Sequence, residues 1–225
     1  KKEFTEIFGL NRDKKQKKKI LYIMENSIIT KRLIKSVKKN KLILLKTKKK
    51  ISGILSSGLL KSIKFNNKNY DRYNLIIVCT GSNSSLVKTL FKDKTIEHYY
   101  NETSVTTILN HSSFKNTIAR QIFFKKEILA LLPISNTRTS IVWTIKNNTL
   151  REYRSNKNSY LKNKLKFYIK SFLKKVKFNS NMEYKDLKLL IRKRYYQDRI
   201  LLFGDALHTV HPFVGQGFNM VLRDL

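Results

Sequence analysis

The C-terminal segment from Arg199 to Leu225 restricts the possible folds of this chain more than any other segment. A short apolar run at Ile200–Phe203 predicts a buried strand, and Gly204–Ala206 follows it directly. A second glycine-containing stretch, Gly215–Gly217, then precedes residues 218–225, which are typical of a helix. A strand, a glycine turn and a helix start in this order bring backbone N–H groups toward a ligand. The segment therefore predicts a site for a phosphate-bearing ligand.

This segment resembles the second flavin-binding signature of the FAD-dependent aromatic hydroxylases, a family that includes the ubiquinone-biosynthesis monooxygenases. The signature has the form G-D-A-x-H, then P, then G-Q-G-x-N, then a late D. The matching residues are Gly204, Asp205, Ala206, His208, Pro212, Gly215, Gln216, Gly217, Asn219 and Asp224. Within the family, the stretches HTVHP and GFNMVLRD are most similar to the ubiquinone branch.

A second resemblance lies in the middle of the chain, where the apolar run Leu75–Cys79 predicts a strand buried on both faces. In the family such a strand leads into A-D-G-x-x-S, and a basic residue follows four positions later. Gly81, Ser84 and Lys88 match this pattern. Thr80 replaces the usual aspartate; its hydroxyl can hydrogen-bond but carries no charge.

The resemblance implies a set of FAD-binding residues. Asp205 would accept hydrogen bonds from ribityl or ribose hydroxyls, and Pro212 would lie beside the flavin ring near the substrate. The glycines would let the backbone approach the ring edge and the pyrophosphate. The predicted cofactor-binding residues are Gly204, Asp205, Pro212, Gly215, Gln216, Gly217, Asn219 and Gly81. Neither a catalytic side chain nor a metal site is assigned.

The remaining segments complete an α/β pattern. Apolar spacing predicts helices at about Ser27–Lys38 and through the basic segment Asn147–Asn181, and a short strand-like run at Leu42–Leu45. The stretch from Tyr99 to Ile145 predicts antiparallel strands with a turn at Ser135–Arg138.

With the resemblance, these elements imply a Rossmann-like FAD-binding domain with an inserted antiparallel β-sheet substrate domain. Residues 1–92 and 183–225 would belong to the FAD-binding domain, and residues 93–182 to the substrate domain. The family's N-terminal G-x-G-x-x-G signature has no counterpart, because the first glycines are Gly9 and Gly53. The chain also stops one turn into its last predicted helix. We therefore expect an incomplete piece of such an enzyme, which binds FAD poorly alone.

The net charge of +33, from 48 Lys and Arg against 15 Asp and Glu, would ordinarily suggest a nucleic-acid partner or an anionic membrane. The lysines are spread along the whole chain together with many Asn and Ile residues, a pattern typical of an AT-rich coding sequence. No sequence-specific nucleic-acid motif is present, while docking to anionic lipid stays open. The single Cys79 excludes an internal disulfide and fits a reducing compartment.

The resemblance implies a monooxygenase that hydroxylates an aromatic ring with O₂, FAD and electrons from NADPH or NADH. The ubiquinone branch implies a polyprenylated phenol as substrate and a ubiquinone-biosynthesis complex as a partner. The expected location is cytoplasmic and peripheral to the inner membrane, or the mitochondrial matrix side in a eukaryote. Three alternatives stay open: a hydroxylase of a soluble aromatic, a non-catalytic remnant that binds membrane or a partner, and a basic nucleic-acid binder.

Overall fold

The computed structural model describes residues 22–66, 70–92, 95–152, 157–212, 215 and 217–225. The helices are α1 (Asn26–Lys39), α2 (Ser85–Leu90), α3 (Asn147–Arg151), α4 (Lys157–Ile169) and α5 (Gly217–Asp224). The strands are β1 (Ile51–Ser57), β2 (Leu60–Phe65), β3 (Tyr70–Tyr73), β4 (Ile76–Val78), β5 (Thr95–Asn110), β6 (Arg120–Phe124), β7 (Glu127–Ser135), β8 (Arg138–Lys146), β9 (Lys177–Phe178), β10 (Glu183–Arg192), β11 (Tyr196–Gln197), β12 (Ile200–Leu202) and β13 (His208–Thr209). Together they confirm the predicted α/β class.

The largest sheet is antiparallel, with the order β13-β10-β5-β8-β7-β6, and β9 pairs with the end of β5. Strand β5 lies at its centre, between β8 and β10. The pairing of Ser135 with Arg138 closes the β7–β8 hairpin at the predicted turn. The antiparallel strands predicted between Tyr99 and Ile145 are therefore confirmed.

Helix α4 packs its apolar face against this sheet. Leu161, Leu165 and Ile169 are buried, and they share one core with Trp143 of β8. The predicted helix through Asn147–Asn181 is wrong beyond Ile169, where the backbone turns. Strand β9 follows there because pairing with β5 satisfies its backbone polar groups.

A smaller sheet has the order β11-β12-β4, in which β12 runs parallel to β4. Ile76, Val78 and Leu202 are buried in a second core that includes residues of α2. The prediction that β4 is buried on both faces is wrong, since Ile77 is 54% exposed. Ile77 points away from this core because side chains alternate along a strand.

Helix α1 confirms the helix predicted near Ser27–Lys38, and an ion pair between Glu25 and Arg138 (2.7 Å) connects its start to β8. The predicted strand at Leu42–Leu45 is wrong: these residues are exposed and have irregular backbone.

A third sheet follows in the chain and has the strand order β1-β2-β3. Of the helices described, none has the length and apolarity to cross a membrane.

A buried ion pair joins α4 to the large sheet. The Glu127 carboxylate, 5% exposed, accepts hydrogen bonds from the Lys164 ammonium and from Trp143 Nε1 (3.2 Å). Burial lowers the pKa of Lys164, but the hydrogen bond and the charge of Glu127 raise it by more, so the net shift is upward. The pair therefore keeps the lysine charged inside the core.

We expect Glu127→Ala to lower the free energy of unfolding by about 3 kcal/mol, because it leaves a mostly buried ammonium and an indole N–H without their acceptor. This value is at the low end for buried pairs because Lys164 retains some exposure. Urea denaturation measures the change, and Lys126→Ala at the exposed neighbouring turn is the control. Equal stability of both variants would contradict the assigned role of the pair.

Candidate functional site

Two glycine turns meet at one edge of the small sheet. Because β4 and β12 are parallel and Val78 lies opposite Leu202, both strands end at the same level. The Phe203 N–H extends this pairing with a hydrogen bond to the Val78 carbonyl (3.1 Å). Gly81 and Gly204 lie just beyond the two strand ends. The carboxyl edge of parallel strands is where open α/β sheets bind ligands.

The turn after β12 is a single 3₁₀ turn, Gly204–Ala206. Gly204 is buried and has a φ of 63°, a backbone conformation that favours glycine. The Leu207 N–H closes the turn on the Gly204 carbonyl (2.9 Å). Asp205 is exposed at its apex, so its carboxylate is available to ligand hydroxyls.

Arg192, the last residue of β10, holds this turn from the side of the large sheet. Its side chain is buried, and its Nε donates to the Ala206 carbonyl (2.8 Å). Its backbone N–H donates to the Leu207 carbonyl (3.2 Å). Sequence reasoning missed Arg192 because nothing local distinguishes it from the many other basic residues.

Two histidines in the segment after the Gly204 turn, His208 and His211, face carboxylates. His208 Nε2 lies 2.6 Å from Asp224 Oδ2 at the end of α5. His211 Nε2 lies 3.1 Å from Glu102 Oε2 of β5, and its ring meets the ring of Tyr100 edge-on at 4.8 Å. Glu102 and Tyr100 were also missed, since only the tertiary fold brings β5 to this loop.

The second glycine stretch leads into α5. The Gly215 N–H donates to the Pro212 carbonyl (3.0 Å), and Gly215 has a φ of 64°. A Cβ atom added to Gly215 or Gly217 would meet nothing within 4 Å. The backbone here is therefore open to close approach. Asn219 is exposed in the first turn of α5, and Gln216 lies outside the described residues.

The turn after β4 is the other half of the site. Gly81 has a φ of 81°, and the Ser84 hydroxyl caps α2 by accepting from the Val87 N–H (3.4 Å). Lys188 Nζ donates to Asn83 Oδ1 (3.2 Å), which connects the turn to β10.

A cleft of about 380 Å³ adjoins this turn. The charged residues that line the cleft are Lys88, Lys92, Lys188, Arg192 and Glu97. This excess of positive charge favours anions.

These features fit a phosphate-bearing dinucleotide. The open glycine backbone and the start of α5, where the first N–H groups of a helix have no acceptor within the helix itself, suit a pyrophosphate, while the Asp205 carboxylate suits sugar hydroxyls. Among the described residues, no three His, Cys, Asp or Glu side chains are grouped to hold a metal ion.

Comparison with known sequences identifies a family. A family model described as an FAD binding domain matches residues 72–225. A mitochondrial ubiquinone biosynthesis monooxygenase of Xenopus tropicalis is 27% identical over 186 residues, which cover 67% of this chain and 40% of that protein. The ubiquinone hydroxylase UbiL of Rhodospirillum rubrum is 28% identical over 127 residues, which cover 56% of this chain and 29% of that protein. The chain spans less than half of the length of these relatives. The match to the family model confirms the predicted family resemblance.

Solved structures show the same fold. A probable FAD-dependent monooxygenase, pqsL, from Pseudomonas aeruginosa matches with a TM-score of 0.74 at 16% identity, over 90% of this chain and 58% of that chain. The flavin-dependent halogenase CmlS matches with a TM-score of 0.71 at 14% identity, over 89% of this chain and 38% of the halogenase chain. These likenesses confirm the predicted fold of an FAD-binding α/β protein.

Proposed function

This chain belongs to the FAD-binding domain family, and we propose that it is part of an FAD-dependent monooxygenase that hydroxylates an aromatic ring. The observation that carries the proposal is the meeting of the Gly81 and Gly204 turns at the ends of paired parallel strands. The names of the relatives, ubiquinone hydroxylase and ubiquinone biosynthesis monooxygenase, support the reaction class.

The proposed FAD site uses residues from both signatures. Asp205 accepts hydrogen bonds from ribityl or ribose hydroxyls. The open backbone of Gly215 and Gly217 admits the pyrophosphate and the ring edge, and Pro212 borders the ring. FAD, when bound, would supply the redox and O₂ chemistry for hydroxylation of the ring with electrons from NADPH or NADH. The other predicted residues, Gly81, Gly204, Gln216 and Asn219, belong to the same proposed site.

The proposed division into domains follows the two cores. Residues 1–92 contribute to the FAD-binding domain, and the substrate domain begins at residue 93. The predicted domain boundary puts β10 in the FAD-binding domain, but β10 pairs along β5, so the proposed substrate domain extends to Arg192. The return to the FAD-binding domain then begins after Arg192.

The proposed substrate is a polyprenylated phenol on the route to ubiquinone. Such a molecule partitions into a bilayer, so the protein would work at a membrane surface. Its net charge of +33 supports attraction to anionic lipid. A ubiquinone-biosynthesis complex is the proposed partner, at the inner membrane of a bacterium or on the matrix side in a mitochondrion.

The experiment supplies the full-length protein with FAD, NADPH or NADH, and ¹⁸O₂, and offers either a polyprenyl phenol in anionic liposomes or soluble 4-hydroxybenzoate. Mass spectrometry should find one ¹⁸O atom in the polyprenyl product. Labelling of the soluble phenol alone would indicate a hydroxylase of soluble aromatics. A flavin-loaded protein that labels neither phenol would contradict the proposal and favour a non-catalytic role.

We expect Asp205→Ala to raise the Kd for FAD about 10- to 100-fold. Loss of a hydrogen bond to a charged group costs about 1.5–3 kcal/mol. Titration by flavin fluorescence measures the change in the full-length protein. Asp205→Asn keeps an acceptor oxygen and should lose less affinity than the alanine variant. Wild-type affinity in both variants would refute the role assigned to Asp205.

Gly217→Val should abolish FAD binding without unfolding the protein. In the flavin-free chain the added side chain starts in open space, so the loss of FAD would report a clash with the ligand. Gly53→Val is the matched control, because Gly53 also has nothing within 4 Å of an added Cβ but lies on β1. Flavin content and thermal melting distinguish the two variants. A Gly217→Val protein that keeps its flavin would rule out the close approach.

A further inference from the structure

The loop segment His208–Pro212 carries two histidines, and each meets a carboxylate from a different structural element. His208 contacts Asp224 at the end of α5, and His211 contacts Glu102 in the middle of the large sheet. The segment therefore has one side-chain contact to the helix that follows it and one to the sheet beneath it. The signature contains His208 and Asp224, whereas Glu102 lies far outside it.

The Glu102–His211 contact is attached to the central strand of the large sheet. Glu102 pairs with Lys146 at the end of the β5–β8 ladder, next to Asn101, whose φ of 54° marks an irregularity in β5. Its side chain is 23% exposed and that of His211 is 15% exposed, which shields the contact from much of the solvent. The Tyr100 ring packs against the same imidazole. A ring held between a carboxylate and an aromatic edge has little rotational freedom, and Pro212 follows it directly.

The Asp224–His208 contact connects α5 to the loop segment that precedes it. Asp224 lies on α5, seven residues after Gly217. Its contact with His208 at 2.6 Å attaches this part of α5 to β13. Strand β13 is itself paired with β10, through Ile191 and His208. Because Asp224 and Gly217 lie on one helix, holding Asp224 also restrains the position of Gly217.

We propose that Glu102 and Asp224 are positioning residues for FAD, acting through His211 and His208. Glu102 sets the place of Pro212 against the large sheet, and Asp224 sets the place of the α5 start. The inference rests on the proposed FAD site and adds the central strand of the large sheet to it. The His208–Pro212 segment is then attached to this sheet through His211.

The test compares Glu102→Ala, His211→Ala and the double variant in the full-length protein. Each single variant should raise the Kd for FAD about tenfold. The double variant should be no weaker than the weaker single variant, because both changes remove the same contact. Asp224→Ala and His208→Ala should behave in the same way as a second pair. Glu183→Ala, an exposed glutamate at the start of β10, is the matched control.

Two readouts separate positioning from general stabilisation. Glu102→Gln keeps an oxygen acceptor for the imidazole N–H, so it should restore most of the FAD affinity and the wild-type visible spectrum of the bound flavin. In the flavin-free protein, amide hydrogen exchange over residues 204–212 should be about tenfold faster in Glu102→Ala. Exchange over residues 217–224 should respond most to Asp224→Ala. Thermal melting should change little in any of these variants.

Wild-type Kd and wild-type exchange in Glu102→Ala and Asp224→Ala would overturn the inference, as would strictly additive losses in the double variants. Failure of the proposed function has a different signature. A protein that holds FAD but hydroxylates no phenol would leave the positioning role intact. A wild-type protein that holds no FAD would overturn the role of these residues in FAD binding, whatever the exchange rates.

Discussion

The parallel pairing of β12 with β4 is the constraint on which the rest of the site depends. Leu202 lies opposite Val78, so the strands end together and the turns that follow them share one edge of the small sheet. A slip of one residue would turn Leu202 out of the core and move Gly204 relative to Gly81, because side chains alternate along a strand. Apolar packing in a small core therefore aligns two ligand-facing turns that are far apart in the sequence.

The large sheet supplies the second constraint, because it holds the same turn from the other side. Burying a guanidinium is costly unless its N–H groups are hydrogen-bonded, and Arg192 Nε donates to the Ala206 carbonyl. The backbone of Arg192 pairs with Thr95 at the start of β5. The Gly204 turn is thus fixed between two sheets, one through backbone pairing and the other through an arginine side chain. A turn held on both sides can keep Asp205 exposed without losing its shape.

The sequence predicted those parts of the protein that depend on local patterns. The strand before Gly204, the hairpin turn at Ser135–Arg138 and helix α1 all follow from spacing of apolar and turn residues. Sequence reasoning placed a strand at Leu42–Leu45 because an apolar run cannot reveal whether a partner strand lies beside it. The same limit explains Ile77, whose exposure depends on which elements cover the sheet.

The residues of the candidate site also fall into those that a local pattern identifies and those that only the tertiary fold identifies. Its glycines and Asp205 could be proposed from two local motifs, one around Gly81 and one from Gly204 to Gly217, whose residue types have a direct chemical use. Glu102 and Arg192 could not, because their importance comes from β5 and β10 passing beneath a loop that is remote in sequence. A glutamate within a strand is ordinarily a solvent-facing residue, and only its neighbours in space distinguish this one.

The net charge of the chain attracts ligands from a distance, whereas the arrangement of polar groups at the site selects among them. A net charge of +33 attracts polyanions and anionic surfaces without discrimination. At the site, however, the exposed Asp205 carboxylate repels phosphate and accepts hydrogen bonds only from donors such as hydroxyls. The α5 start beyond Gly215 offers the opposite preference, since its N–H groups favour anions. Under the proposed assignment, a ligand must present hydroxyls to Asp205 and phosphates to the helix start at the same time. FAD presents both, whereas a DNA backbone has phosphates for the helix start but no sugar hydroxyl for the carboxylate.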